Sequence, residues 1–194
     1  MTEAHLFAIG ITLAALAGVR AYLTVFGIGL AGLMGWVELP AALQVAQNPW
    51  VLGTAGVLTL VEFVTDKIPG VDSASDLLQT VLRVPVGAFL AAATLSPDGE
   101  LGAGALATGA GVALASHALK AGSRALLNTS PEPISNWTAS VGEDVAAVGG
   151  LALVFTYPWI ALGLVVAISL TMATAVWWLW RVLFRRRPKP VPPR

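Results

Sequence analysis

Asp66-Lys67-Ile68-Pro69-Gly70-Val71-Asp72-Ser73 is a polar knot in a chain that is otherwise mostly apolar. Asp76 and Arg83 follow closely, so five charged residues fall within 66–83. Only 11% of the 194 residues are charged and 56% are hydrophobic, and the mean hydropathy is +0.77. A soluble domain carries about 25% charged residues. The composition is that of an integral membrane protein, in which each spanning helix needs about 20 apolar residues to cross roughly 30 Å of hydrocarbon. The knot is then a break between two such helices.

Outward from the knot, apolar helices alternate with short breakers. Residues 50–65 form one helix, with Asn48 as N-cap and Pro49 at the first position. Residues 74–95 form the next. Ser73 caps it, Asp76 supplies the carboxylate of a capping box, and Pro85 kinks it by removing a backbone hydrogen bond. Upstream, residues 6–37 are apolar apart from Arg20 and a few small polar residues. At 1.5 Å per residue they would reach about 48 Å, so this helix is tilted, protruding or broken. Gly18 beside Arg20 and the run Gly27, Gly29, Gly32, Gly35 are its weak points. Residues 41–47 make a short interfacial turn. Downstream, helices over 101–127, 135–155 and 159–183 are separated by a turn at 96–99, a break at 129–133 and Tyr157-Pro158.

The expected fold is therefore all-α and polytopic, with about six transmembrane helices and room for re-entrant or broken segments. Residues 1–184 form a single integral membrane domain. Residues 185–194 form a disordered, basic, proline-rich cytoplasmic tail. Cysteine is absent, which excludes disulfides and thiolate metal sites. The one basic run is that short tail, so nothing points to nucleic acid. The N-terminus lacks a basic signal-type region, and the first apolar run is read as a retained helix.

Lysine and arginine set the orientation. With six spans, the loops around Gln44, Asp98 and Tyr157 share one side and hold no Lys or Arg. The other side holds Lys67, the Lys120–Arg124 helix end and the basic tail. That side is expected to be cytoplasmic, with both termini inside and the chain in the plasma (inner) membrane. Trp36, Trp50 and Trp159 fall at the outer boundary, and Trp177, Trp178 and Trp180 at the inner one, as interfacial belts do.

Arg83 lies about ten residues into its helix, roughly 15 Å deep. Glu143 and Asp144 lie at a similar depth, and Arg20 is near the middle of its helix. An ionised group there costs at least about 2.5–3.5 kcal/mol and faces the bundle interior, paired or hydrated. Arg20 and Arg83 are expected to pair with Glu143 and Asp144, in an order the sequence leaves open. The competing reading is that such pairs only fix helix register. His117, Lys120 and Arg124 are spaced three and four apart and share a helix face. Lys120 and Arg124 either grip a solute or snorkel to the inner surface, and His117 either joins them or only packs. With Lys67 at the mouth, the candidate binding set is Arg20, Lys67, Arg83, His117, Lys120, Arg124, Glu143 and Asp144.

Ala17-Gly18-Val19-Arg20-Ala21-Tyr22-Leu23 matches Ala121-Gly122-Ser123-Arg124-Ala125-Leu126-Leu127 in part. Three crossings separate them, so they would run in opposite directions, as in the inverted repeats of secondary transporters. The glycine-rich faces serve close helix contact, within the monomer or between copies in a homo-oligomer.

These pieces together resemble a family of small bacterial membrane proteins catalogued as domain of unknown function 4126. The resemblance is carried by Ala17–Thr24; by Glu62 and Asp66–Ser73 through Arg83 and Pro85-Val86-Gly87-Ala88; by His117–Ala121 with Arg124; and by Ser130-Pro131-Glu132-Pro133 with Asn136 and Glu143-Asp144. It covers roughly residues 5–180 and implies kinship without an activity.

Three functions fit. The first is a transporter or channel for a small polar or anionic solute, with a charge-paired site at mid-membrane; it requires a water-filled cavity reaching Arg83 and Glu143. The second is an inner-leaflet lipid-phosphate enzyme, in which Asp66, Asp72 and Asp76 hold Mg²⁺ and His117, Lys120 and Arg124 grip phosphate. No cofactor is expected outside that alternative. The third is a non-catalytic scaffold or assembly protein held together by interior ion pairs.

Overall fold

Thr2 starts the first helix: its hydroxyl accepts from the His5 amide at 3.3 Å. The computed structural model describes residues 2–68, 71–96, 100–128 and 133–185. Helix α1 covers Glu3–Leu33. It ends before residue 37 because Gly35 takes φ +70°, a left-handed conformation that glycine adopts freely. A 3-10 helix follows over Ala41–Gln47. Helix α2, Pro49–Thr65, begins as its sequence dictates: the Asn48 side chain accepts from the Trp50 amide at 2.9 Å and Pro49 needs no donor. The remaining helices are α3 (Val71–Leu95), α4 (Ala103–Leu127), α5 (Pro133–Val154) and α6 (Pro158–Arg185). No strand occurs among the described residues. Pro69, Gly70, the turn at 97–99, the break at 129–132 and the tail from 186 lie outside the described residues, as do the side chains of Asp72 and Ser73.

Two expectations concern helix breaks. Pro85 lies inside α3, which runs through it as one helix. The break expected in α1 beside Gly18 is present at Arg20, where φ −143° and ψ 76° leave helical geometry. Gly18 stands two residues before it.

Helix α1 is the central element, packed on α3 and α4, with α2, α5 and α6 around it. Small residues set the approach. A Cβ on Gly18 would overlap Ser116 Oγ and the Ala113 carbonyl of α4, and one on Gly109 would lie 2.6 Å from both Ala91 Cβ and the Gly87 carbonyl of α3. Close backbone approach of this kind is what glycine permits between apolar helices.

Polarity is inverted relative to a water-soluble fold. Arg20, Arg83, Lys120, Arg124, Glu62, Asp66 and Asp76 are buried, while Leu60, Val61, Phe63 and Val64 on α2 and Leu164, Val166 and Leu170 on α6 are exposed. Charged residues are rarely buried unless paired, and wide apolar surfaces mark contact with membrane or protein. Two of the described helices, α1 and Pro158–Val182 within α6, are long and apolar enough to cross a membrane. Helix α2 and Gln79–Leu95 are shorter apolar stretches.

A buried, charge-balanced network as candidate site

Helical spacing delivers the charged groups to one place. The Asp66 amide bonds back to the Glu62 carbonyl at 3.0 Å, so Glu62 and Asp66 leave the end of α2 on one face. Asp76, Gln79, Thr80 and Arg83 share a face of α3, and His117, Lys120 and Arg124 share one of α4. Ser140, Glu143 and Asp144 come from α5. The break at Arg20 lets its guanidinium reach across. The neighbouring Val19 carbonyl takes Lys120 Nζ at 3.3 Å, and the Arg20 carbonyl takes the Thr24 hydroxyl at 2.7 Å.

Asp66 is the hub. Its Oδ2 lies 2.6 Å from Arg20 Nη1 and 2.7 Å from Lys120 Nζ, and its backbone carbonyl accepts from Arg124 Nη1 at 3.0 Å. Burial alone would raise its carboxyl, but the Lys120 ammonium and the Arg20 guanidinium outweigh burial and hold it below the ordinary carboxylate range.

Arg83 forms a second centre. Its Nη2 donates to Glu62 Oε1 at 2.6 Å and to Gln79 Oε1, and its Nη1 donates to Asp76 Oδ1 at 2.9 Å. Nη1 also lies 2.9 Å from His117 Nδ1. A guanidinium only donates, so Nδ1 accepts and Nε2 carries the proton that meets Thr80 Oγ1 at 2.6 Å. The imidazole is neutral in this arrangement.

Glu143 forms the third centre. Arg124 donates to it through Nε at 3.1 Å and Nη2 at 2.9 Å, the bidentate geometry suited to a carboxylate. Lys120 Nζ lies 3.6 Å from Glu143 Oε2 and 3.3 Å from Asp76 Oδ1, and so links all three centres. Asp144 accepts from Arg20 Nη2 at 2.8 Å and from Lys67 Nζ at 3.4 Å. Lys67 also sits 3.1 Å above the Phe63 ring.

Among the described residues the network thus joins five cations (Arg20, Lys67, Arg83, Lys120, Arg124) to five anions (Glu62, Asp66, Asp76, Glu143, Asp144). All eight residues of the expected binding set lie in it. The pairing expected for Arg20 holds with Asp144 at 2.8 Å and, more loosely, with Glu143 at 3.8 Å. That for Arg83 is corrected: α3 packs on α1, α2 and α4, whereas Glu143 projects from α5, so Arg83 meets Glu62 and Asp76. Lys120 and Arg124 do not snorkel; both are fully buried. Asp66 is no surface loop residue either, since it too is fully buried.

The proposed Mg²⁺ ligands fare differently. Asp66 and Asp76 both face Lys120 Nζ, which stands between them where a cation would, and Asp72's side chain lies outside the described residues. No group of three metal-ligating side chains occurs among the described residues.

Gln79, Thr80 and Ser140 carry no signal in the sequence, and Glu62 entered only through the family resemblance. Glu62 had a usable signal, as the lone acid in an otherwise apolar run. Glu62 Oε2, Asp66 Oδ1 and Asp76 Oδ2 are buried with no hydrogen-bond partner among the described residues. Each carboxylate therefore keeps acceptor capacity inside the network.

Over the described residues, fold and site together define a helical protein with an apolar exterior and a buried ionic core. Residues 7–181 match the family model described as "Domain of unknown function (DUF4126)", and the chain belongs to that family. Neither the curated proteins nor the solved structures contain a match to it.

Proposed function

We propose that this chain is a multi-pass inner-membrane protein that moves a small polar or ionic solute, with the charge network as its solute-handling centre. The membrane placement rests on inverted polarity: an apolar outer surface around buried charges is favourable in lipid and unfavourable in water. In this reading α1 to α6 all cross the bilayer and both termini are cytoplasmic.

The observation that carries transport is the break of α1 at Arg20, in the middle of the network. Secondary transporters build their central sites at interrupted helices, where freed backbone and side chains meet the solute. Irregular backbone at that depth is tolerated where protein or a cavity covers it. The two Ala-Gly-x-Arg segments support an inverted repeat, because Arg20 and Arg124 both reach Asp66. The free carboxylate oxygens of Glu62, Asp66 and Asp76 give a solute somewhere to bind, and Lys67, the network's most exposed cation, stands on its rim.

The test is electrophysiology on protein reconstituted in liposomes on a sensor electrode, with jumps of small inorganic ions, carboxylates and pH. At least one jump should give a transient current that Asp66→Asn abolishes while the variant remains monodisperse. An intact protein silent to the whole panel would sink the reading. It would favour the scaffold instead, for which the full pairing of all five cations speaks. In that case Arg83→Ala lowers yield and stability with no flux to lose.

A further inference from the structure

Glu143 has a second environment. It lines a cavity of about 390 Å³ between α1, α4, α5 and α6, within the range of small-molecule pockets, which commonly lie between the helices of a bundle. Leu16, Leu119, Ala146, Ile168 and Met172 give it an apolar wall from all four helices. The cavity exists because α4 and α5 barely touch, and α6 closes the gap behind them. Ile168 is 39% exposed, and its neighbours Leu164, Val166 and Leu170 continue the apolar outer face of α6. An apolar chain entering from that face meets no polar barrier.

Inside, the polar choices are few. The Ser116 hydroxyl is committed to the Ala15 carbonyl at 2.9 Å and that of Ser123 to the Lys120 carbonyl at 2.7 Å. Glu143 is the one charged residue in the lining. Its charge is already met by Arg124, yet an ionised carboxylate offers about four lone-pair sites and Arg124 occupies two. Arg124 and Lys120 are fully buried and outside the lining. Ser169 adds one further hydroxyl, so the cavity presents the Glu143 carboxylate, serine hydroxyls and no accessible cation.

We infer that this cavity binds an uncharged amphiphile, its hydrocarbon chain along α4 and α6 and a hydroxyl head donating to Glu143. An anionic head would face the Glu143 carboxylate, and a cationic head would compete with Arg124 for it. The site does not depend on transport by the charge network.

Gly142 gives a clean variant. A Cβ there would meet nothing within 4 Å, because the space before it is the cavity. Gly142→Leu fills that space and replaces glycine with a better helix former. The experiment uses the full chain in lipid nanodiscs, with photoreactive diazirine analogues of tetradecanol, tetradecanoate and tetradecylamine. The alcohol should label peptides of α4 and α6 around Leu119 and Ile168, at least about tenfold over the acid and the amine, and Gly142→Leu should lose that labelling. Labelling spread over the outer helix faces, equal labelling in Gly142→Leu, or preference for the acid or amine would each overturn the inference. Should Gly142→Leu fail to fold, competition decides: excess unlabelled tetradecanol removes labelling at a real site and leaves surface labelling unchanged.

Discussion

Removing Arg83 would leave the buried carboxylates of Glu62 and Asp76 without the cation they share. Breaking a buried pair in this way costs about 3–5 kcal/mol, whereas replacing a whole pair by apolar groups is often neutral. Arg83→Ala should therefore destabilise strongly in chemical unfolding, and Arg83→Met with Glu62→Met should recover part of the loss; simple addition of the two losses would argue against coupling. Asp66 gives a pH signature. Its folded carboxyl titrates below its ordinary value, so its stabilisation is present above about pH 4 and lost as pH falls through the folded value. The melting temperature should drop on acidification below about pH 4, and less steeply in Asp66→Asn. At this scale the sequence disclosed which residues are expensive but not which meet. Depth along a helix can be counted, so Arg20, Arg83, Glu143 and Asp144 stood out. Pairing depends on which helices pack, and α3 faces α2 and α4 rather than α5. Depth also misled for Asp66: it stands in the break after α2, yet Arg20 of α1 and Lys120 and Arg124 of α4 reach over it and it is fully buried.

Among the helices, the α1–α4 crossing is held by Gly18 against Ala113 and Ser116. Gly18→Ala forces backbone apart and should cost about 1–3 kcal/mol in thermal unfolding. Gly111→Ala on the same α4 has open space before it and should be neutral or stabilising. Equal losses in the two would refute the crossing. Helix positions were legible from apolar runs and caps, as with Asn48-Pro49 opening α2. The excess length of the first apolar run and Gly18 beside Arg20 marked α1 as a place for a break, and the interruption falls at Arg20. What no window of sequence contains is its partners, because the Arg20 side chain reaches Asp66 after α2 and Asp144 on α5.

For the molecule as a whole, the six-span reading is open to direct test because the chain has no cysteine. Single cysteines at Gln44 and Ile68 lie on opposite sides of α2, and Ile68 is 47% exposed. An impermeant maleimide added to right-side-out vesicles should label Gln44→Cys and reach Ile68→Cys only after permeabilisation. Labelling of both from outside would refute the topology. The coarse class was readable from hydropathy and charge content alone. The membership of the core was not, since packing brings Glu62, Asp66 and Asp76 inside.

The ionic core also orders the making of the protein. Arg20 leaves the ribosome well before Asp66, and both leave it long before Glu143 and Asp144, which belong to the fifth helix. In the membrane reading, the first helix must wait beside the translocon with an uncompensated arginine until later helices arrive. A chain stopped within α2, before Asp66, should then leave α1 poorly anchored and exposed to membrane proteases, while the full chain resists them.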